Sequence, residues 1–421
     1  MKITLLNGSP EPTAFDAYIA QLKTSLEAEN HLVTQIDLRD LPLRYCIGCW
    51  GCWVKTPGQC ITCDASVEMD QAVIQSDFTL WAAPLKMGFP SRLLKMALDK
   101  HLPLIHPYMV VDQGEAHHLK RYPHYPRLGL LVEKEADTDA DDLRILTDIF
   151  ARTALNFKSR LEFAATTEHS PAALAAQITH PAPGKHLYTR NPAARPGVQV
   201  APPKSLTVFN GSPRGRKGNT PILLGELIKG FGDPAEMHHL NHLHDTDQFV
   251  QAFAAAECAW IGFPLYTDAM PGIVKHFFEA LEPLRGRQGN PPLGFLVQSG
   301  FPEAAHSRYV ERYLEKLASR LGCPYLGTIV KGGGEGLRIM PPQMTQGLFQ
   351  SVQALGKGLA ESGQLNPTLL KQIAKPERFP AILGPVFRIF LRLPAAHSYF
   401  DQMLKQNDAY ERRFARPFRE K

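Results

Sequence analysis

The stretch from Leu206 to Ile222, LTVFNGSPRGRKGNTPI, constrains the fold of this chain more than any other part of it. A short β-branched and aromatic run is followed by a polar, glycine-containing loop, and an amphipathic segment begins near Thr220. This order predicts a strand, a loop and a helix. The loop residues suited to contact an anion are Gly211, Gly218, Ser212, Asn219, Thr220 and Arg214. Such a loop at a helix N-terminus can cradle a phosphate group.

The loop matches neither of two common nucleotide motifs. It contains no G-x-G-x-x-G, which a dinucleotide loop requires, and no Gly-Lys-Ser/Thr ending, which a P-loop requires. A monophosphate is therefore the better ligand. The pattern NGSPRxxxGNT resembles the phosphate loop of the flavodoxin-like NAD(P)H-dependent FMN reductases. That resemblance implies that the 5'-phosphate of FMN is held by Ser212, Arg214, Gly218, Asn219 and Thr220.

An internal repeat predicts the architecture. MKITLLNGSP, from Met1, matches SLTVFNGSP, from Ser205, and APLKMGFPSRLLKMALDKHLPL, from Ala83, aligns with FPLYTDAMPGIVKHFFEALEPL, from Phe263. Short, unbroken apolar runs alternate with helical patterns in both copies, which is typical of a parallel sheet buried on both faces.

We therefore expect two tandem flavodoxin-like doubly wound α/β domains, each with three α/β/α layers, and a C-terminal helical arm. The predicted boundaries are 1–179 and 205–375 for the domains, 180–204 for a Pro-rich linker and 376–421 for a basic, aromatic extension.

Two further loops of the second copy complete the predicted flavin site. In the family that the chain resembles, such loops flank the isoalloxazine ring, and here they contain Pro264, Leu265, Tyr266, Thr267, Asp268, Ser299 and Gly300. In parallel sheets a ligand lies beyond the carboxyl ends of the strands, which is where these loops fall. Hydride passes to flavin N5 without a protein acid or base, so no catalytic residue is predicted.

The first copy has the same sequence pattern, but its loop is less suited to bind a phosphate. Its loop, NGSPEPTAFDAY, places Glu11 where a cation would help, and Lys86 aligns with Tyr266. A carboxylate beside a phosphate repels it. Two interpretations stay open: a degenerate site, or a second FMN site formed by Ser9, Thr13, Pro84 and Leu85.

Five of the seven cysteines lie between Cys46 and Cys63, where the first copy is longer than the second. Their spacing, C-x2-C-x2-C-x7-C-x2-C, is compatible with an iron-sulfur cluster, with zinc, or with a structural or thiol-redox role. The segment also resembles the cysteine motif of the iron-sulfur flavoproteins, a branch of the same reductase family. That resemblance implies a 4Fe-4S cluster with Cys46, Cys49, Cys52 and Cys60 as ligands.

Charge and hydropathy bear on location and partners. The net charge is +5 and the basic excess lies after Lys371, so no folded domain presents the basic face of a nucleic-acid-binding protein. The N-terminus lacks the apolar core of a signal peptide, which predicts a cytoplasmic protein. The arm, from Phe379 onward, is expected to pack on protein, with contact to an anionic membrane surface as the alternative.

The resemblance to the FMN reductases implies an NAD(P)H-dependent oxidoreductase that binds FMN and passes electrons to a quinone, a flavin or another small acceptor. A homodimer is one option for its assembly. Two alternative functions stay open: an iron-sulfur flavoprotein that acts in electron transfer, and a non-enzymatic flavodoxin-fold scaffold or thiol redox sensor.

Overall fold

The computed structural model of the chain describes residues 1–112, 114–181, 192–379, 389, 391 and 393–419. Its contacts group the chain into two compact units, Met1–Thr189 with Pro380–Lys421, and Arg190–Phe379. Residues 182–191 of the predicted linker and residues 380–388 of the predicted extension lie outside the described part. Within the ranges that are described, every helix is too short or too polar to cross a bilayer.

The strands and helices are as follows. The strands are β1 (Lys2–Asn7), β2 (Leu32–Asp37), β3 (Phe78–Lys86), β4 (Phe89–Pro90), β5 (Ile105–Asp112), β6 (Glu115–Lys120), β7 (Arg127–Glu133), β8 (Leu161–Thr166), β9 (Leu206–Asn210), β10 (Ala235–His239), β11 (Ala259–Pro264), β12 (Leu293–Gln298) and β13 (Tyr325–Lys331). The helices are α1 (Ala14–Ala28), α2 (Gly51–Val54), α3 (Ser66–Ile74), α4 (Arg92–Lys100), α5 (Ala140–Asn156), α6 (Pro171–Thr179), α7 (Thr220–Phe231), α8 (Thr246–Ala255), α9 (Gly272–Ala280), α10 (Ala305–Leu321), α11 (Pro342–Ser362), α12 (Pro367–Ile373) and α13 (Ser398–Gln406).

Each unit contains a parallel sheet with the same connectivity. The order in the first unit is β2-β1-β3-β7-β8, and the order in the second is β10-β9-β11-β12-β13. In both, the first strand lies between the second and the third, which is the doubly wound order of flavodoxin-like folds. The predicted fold class is confirmed. The unbroken apolar sequences of β11 and β12 are fully buried because helices cover both faces of the sheet.

The aligned repeat motifs adopt the same local structure in both units. After β3, a tight turn at Met87 and Gly88 leads to the short antiparallel strand β4. After β11, Tyr266 and Ala269 pair across a turn of the same length. In each unit the next helix carries an i,i+4 ion pair that is almost fully buried, Lys95 with Asp99 and Lys275 with Glu279.

Glycines allow α7 and α11 to pack at short distance in the second unit. A Cβ added at Gly356 on α11 would lie 2.2 Å from Leu227 O on α7, and one added at Gly230 would lie 1.9 Å from Gln353 O. Both clashes are with backbone atoms, which cannot rotate away. The helix that follows the phosphate-type loop is thereby fixed against a neighbouring helix.

Gly356→Ala should therefore lower the midpoint of denaturant unfolding, since overpacking of a close contact costs about 1–3 kcal/mol. Gly347→Ala is the matched control, because it lies on the same helix and an added Cβ would meet nothing within 4 Å. Its higher helix propensity should leave the midpoint unchanged or raise it. Equal effects of the two substitutions, followed by circular dichroism, would contradict this packing.

Candidate functional site

A buried asparagine shapes the loop that follows β9. Asn210 is fully buried, and its Oδ1 accepts a hydrogen bond from Ser212 N at 3.1 Å. Its Nδ2 donates to Gly215 O at 3.2 Å and lies 2.9 Å from His239 Nδ1. These bonds fold the loop back toward the end of its own strand. The chain therefore reaches α7 through a compact turn.

Close packing within this loop excludes larger residues at two positions. Gly211 N donates to Gly262 O at 2.7 Å, and a Cβ added at Gly211 would lie 2.3 Å from Val274 Cγ2. A Cβ added at Gly218 would lie 2.1 Å from Ser212 Oγ. Any side chain at either glycine would push the loop apart, and this explains the two glycines physically.

The polar side chains of the loop gather at the N-terminus of α7. Ser212, Asn219 and Thr220 are each at most 2% exposed, and Thr220 is the first residue of the helix. Thr220 Oγ1 lies 3.5 Å from Gln298 Nε2, at the end of β12. The N-terminus of a helix carries the positive end of its dipole and favours an anion.

A carboxylate already contacts two of the predicted phosphate ligands. Arg214 Nη2 donates to both carboxylate oxygens of Glu335, at 3.0 and 3.1 Å. Asn219 Nδ2 donates to Glu335 O at 2.9 Å and to its Oε1 at 3.3 Å. Burial raises the pKa of Glu335, and the bonds from Arg214 and Asn219 oppose that rise.

Glu335 belongs to a short helical turn, Gly334–Arg338, which we call the strap. At the other end of the strap, Arg338 Nη2 donates to Arg216 O and Gly218 O, both at 2.8 Å. The strap therefore contacts the loop in two ways. Glu335 binds the side chain of Arg214, and Arg338 binds two backbone carbonyls of the loop.

The predicted ring-flanking loop after β11 is a strained turn. Tyr266 N donates to Ala269 O at 2.9 Å, and Ala269 N donates to Tyr266 O at 3.0 Å. Between them, Thr267 and Asp268 have φ angles of 44° and 58°. A positive φ is unfavourable for a β-branched residue such as threonine, and strain of this kind clusters at functional sites. Pro264 ends the buried strand just before the turn.

The structure brings the three predicted loops together at one edge of the sheet. Leu265 N donates to Gln298 O at 2.7 Å, which joins the end of β11 to the end of β12. Ser299 O accepts from Gly334 N at 2.8 Å, which joins the loop after β12 to the strap. Gly300 is exposed, and a Cβ added there would meet only Glu335 Cβ, at 3.9 Å.

Two buried amide oxygens at this edge have no hydrogen-bond partner among the described residues. They are Asn219 Oδ1 and Gln298 Oε1. An unpaired buried acceptor costs about 1–3 kcal/mol, so a bound hydroxyl donor would stabilise the site. The ribityl chain of a flavin carries hydroxyl groups of this kind.

Sequence reasoning missed the residues that join the loops, namely Gln298, Glu335 and Arg338. A signal was available in KGGGEGLR, a glycine-rich stretch directly after the apolar strand β13. Because parallel strands share one carboxyl edge, that stretch had to lie near the phosphate-type loop. Only the structure shows that Glu335 faces Arg214.

In the first unit, carboxylates of neighbouring elements accept hydrogen bonds from the corresponding loop. Asn7 Nδ2 donates to Asp16 Oδ1 and to Asp37 Oδ1, both at 2.7 Å. Thr13 caps α1 in a capping box with Asp16, which also pairs with Arg39 at 2.6 Å. Burial acts to raise the pKa of Asp16, but hydrogen bonds from Thr13, Arg39 and Asn7 outweigh it and lower the pKa. An ionised carboxylate therefore stands at the N-terminus of this helix.

The other predicted residues of the first site are also engaged within the protein. Ser9 Oγ donates to Glu11 O at 2.7 Å. Pro84 and Leu85 lie at the end of β3, in the strand that pairs with β4. In the turn that follows them, Met87 N and Gly88 N donate to Glu135 at 2.9 and 2.6 Å. The second unit has no carboxylate in this register, since the aligned position is Gly300.

The cysteine segment includes α2 and lies beside the cationic side chains of Lys100 and Arg121. Lys100 Nζ lies 3.2 Å from Cys60 Sγ and pairs with Asp64 at 2.8 Å. Burial raises the pKa of Cys46 to about 12. Burial, with the nearby thiols of Cys46, Cys60 and Cys49, also raises the pKa of Cys52 well above its usual value, while Arg121 opposes the rise. The four predicted ligands thus lie in one region.

Among the described residues, these thiols are not assembled as a set of metal ligands. In the part of the chain that the structure describes, no three His, Cys, Asp or Glu side chains are placed to hold one. Cys49 and Cys63 are exposed, whereas Cys52 is buried. Cys258 and Cys323, which lie elsewhere in the chain, are buried as well.

The described part of the C-terminal extension packs on the cysteine segment of the first unit. Leu404 on α13 is fully buried in a cluster with Cys52 and Trp53. The ring of Phe400 lies 5.7 Å from that of Trp50 and 5.8 Å from that of Trp53.

Backbone carbonyls of the same extension hold a buried arginine. Arg121 Nη1 donates to Arg413 O at 3.1 Å and to Ala415 O at 3.0 Å. The arm is thus an integral part of the first unit in the residues described.

Leu404→Ala should destabilise the first unit by about 2–5 kcal/mol, since it leaves a cavity beside Cys52. The rate at which a thiol reagent modifies Cys52, measured by peptide mass spectrometry, should rise. Gln406→Ala, at an exposed position of the same helix, is the control and should leave that rate unchanged. An unchanged rate for Leu404→Ala would show that α13 does not shield this thiol.

No protein-family model matches the chain. It is similar to an iron-sulfur flavoprotein of Methanocaldococcus jannaschii, with 31% identity over 105 residues, which is 25% of this chain. The match spans 53% of that relative's length, so about half of it is represented here.

Among solved structures, the chain is similar to an FMN-dependent NADH-azoreductase from Bacillus anthracis in complex with FMN, with 11% identity, a TM-score of 0.30 and coverage of 37% of this chain and 100% of that one. It is also similar to an NAD(P)H:quinone oxidoreductase from Methanothermobacter marburgensis, with 13% identity, a TM-score of 0.29 and coverage of 38% and 96%. The similarity to an iron-sulfur flavoprotein agrees with the predicted resemblance to flavodoxin-like NAD(P)H-dependent FMN reductases. The fold itself is established by the strand order of the two sheets.

Proposed function

We propose that the second unit binds one FMN and that the protein is a flavin oxidoreductase that takes electrons from NADH or NADPH. The observation that carries the proposal is the convergence of three strand-end loops on the N-terminus of α7. The sequence predicts all three loops as parts of one site, and hydrogen bonds join them through Gln298 and Gly334. The names of the similar proteins support the same class of activity.

The residues of the second unit suit the parts of FMN. The phosphate would be held by Ser212, Arg214, Thr220, the Nδ2 of Asn219 and the backbone around Gly218. Asn219 and Gln298, with their unpaired amide oxygens, would accept hydrogen bonds from the ribityl hydroxyl groups. The turn at Thr267 and Asp268 and the exposed Gly300 would flank the ring.

FMN, when bound, supplies hydride acceptance at N5 and electron transfer to a second substrate. The role of the protein is therefore to bind the cofactor and to orient it toward its substrates. The strained turn after β11 would place its backbone groups beside the ring, and the buried side chains of Ser212 and Thr220 would contact the phosphate. A quinone, a flavin or another small molecule is the proposed acceptor.

We further propose that the two units arose by duplication and that the first has lost its flavin site. Asp16 occupies the N-terminus of α1, and Glu135 occupies the turn after β3. Both carboxylates take backbone or side-chain donors that a flavin would need. A second FMN at Ser9, Thr13, Pro84 and Leu85 would have to displace them.

An iron-sulfur electron-transfer protein is the second candidate function. The grouping of four thiols beside Lys100 and Arg121 favours it, because cations stabilise thiolates and anionic clusters. The absence of three assembled ligands in the described residues counts against it. Stoichiometric iron and sulfide after anaerobic purification, lost in Cys49→Ala, would establish a cluster. Iron-free protein with intact thiols would leave the redox-sensor role as the explanation of these cysteines.

Arg214→Gln should weaken FMN binding by about tenfold to a hundredfold, since it removes a charge-assisted contact with the phosphate. Thr220→Val should weaken it by a smaller factor. Both can be measured by quenching of flavin fluorescence on the deflavinated full-length chain.

Thr13→Val is the matched control in the first unit, because Thr13 occupies the related position at the head of α1. It should leave FMN affinity within about twofold, a difference too small to reflect a lost contact. A protein that binds no FMN would favour a non-enzymatic scaffold. Greater loss in Thr13→Val than in Arg214→Gln would place the flavin in the first unit.

A further inference from the structure

The strap occupies the donors that a phosphate group needs. Arg214 Nη2 lies 3.0 and 3.1 Å from the two carboxylate oxygens of Glu335, and Asn219 Nδ2 lies 3.3 Å from one of them. Arg214 and Asn219 are two of the residues expected to hold the 5'-phosphate. An anion that takes these contacts must displace the carboxylate or share Arg214 with it.

Sharing is unfavourable because both groups are negative. Two like charges at hydrogen-bonding distance from one arginine repel each other, and the repulsion is stronger near a protein surface than in bulk water. The side chains of Arg214 and Glu335 are only 23% and 27% exposed, so water screens this repulsion incompletely. The repulsion therefore favours displacement of the carboxylate over sharing of Arg214.

The strap is built to permit such displacement. Glycines flank Glu335 on both sides, at Gly332–Gly334 and at Gly336, and Gly333 has a φ of 70°. A Cβ added at Gly300, in the loop opposite, would meet only Glu335 Cβ, at 3.9 Å. Burial already disfavours the charged form of Glu335, which reduces the cost of moving it toward water.

We propose that Glu335 is an internal competitor of the flavin phosphate and thereby sets the preference of the site between FMN and unphosphorylated riboflavin. This inference rests on the proposed FMN site. Riboflavin has no terminal anion, so it can bind with the Arg214–Glu335 pair intact. FMN must break that pair, and the net gain from its phosphate is reduced accordingly.

The test compares FMN with riboflavin on the deflavinated full-length chain. Glu335→Gln should raise FMN affinity by about tenfold, corresponding to ~1.4 kcal/mol, while riboflavin affinity changes by less than about twofold. In an Arg214→Gln background the gain from Glu335→Gln should largely disappear, because the two residues act through one contact. The ratio of the two dissociation constants is the readout.

Glu361→Gln is the control for net charge. It removes the same charge from the same unit, at an exposed position of α11 where Glu361 pairs with Lys357. It should leave both affinities unchanged. Thermal unfolding of each variant would show that folding is preserved.

An unchanged FMN-to-riboflavin ratio in Glu335→Gln, with FMN bound normally by the unsubstituted chain, would overturn the competitor role alone. A fall in FMN affinity would also overturn it, since Glu335 would then position Arg214 for the phosphate. Failure of the unsubstituted chain to bind either flavin would overturn the proposed function and this inference with it.

Discussion

The hydrogen bond from Ser212 N to the buried amide of Asn210 is the interaction on which the second unit's site depends. It turns the chain back at the end of β9, and the close contact of Gly211 with Gly262 fixes where that turn lies relative to β11. The helix that follows is held in turn by the glycine contacts between α7 and α11. A phosphate-sized anion can be recognised by backbone groups only if those groups are held rigidly.

The first unit has the same loop geometry. Asn7 accepts from Ser9 N at 3.0 Å, just as Asn210 accepts from Ser212 N, and Gly8 N donates to Ala82 O. The two loops differ in where their carboxylate comes from, because Asp16 lies in the first turn of α1, whereas α7 has no acidic residue in its first turn. The carboxylate at the second loop belongs to Glu335, in the strap. The loop geometry is therefore shared, and we propose that the position of these carboxylates decides which unit accepts an anionic cofactor.

The sequence predicted the fold class because apolar strands, glycine loops and the repeat all indicate the same architecture. Each of these signals is local, so it can be recognised in a single sequence. It also predicted which loops lie at the carboxyl edge, since parallel strands place them there. It could not predict that Glu335 contacts Arg214, because these residues are far apart in sequence and their contact depends on the exact reach of two side chains. Nor did it show that α13 packs on the cysteine segment, since an apolar helical face does not specify what it packs against.

The most direct test of the account is a crystal structure of the full chain with FMN. We predict one FMN per chain, with its phosphate hydrogen-bonded to the backbone of the loop at 212–220 and to Arg214, and with the carboxylate of Glu335 moved away from that arginine. A phosphate bound at the first unit's loop beside Asp16, or a flavin bound away from the carboxyl edge of β9, would contradict the central claim.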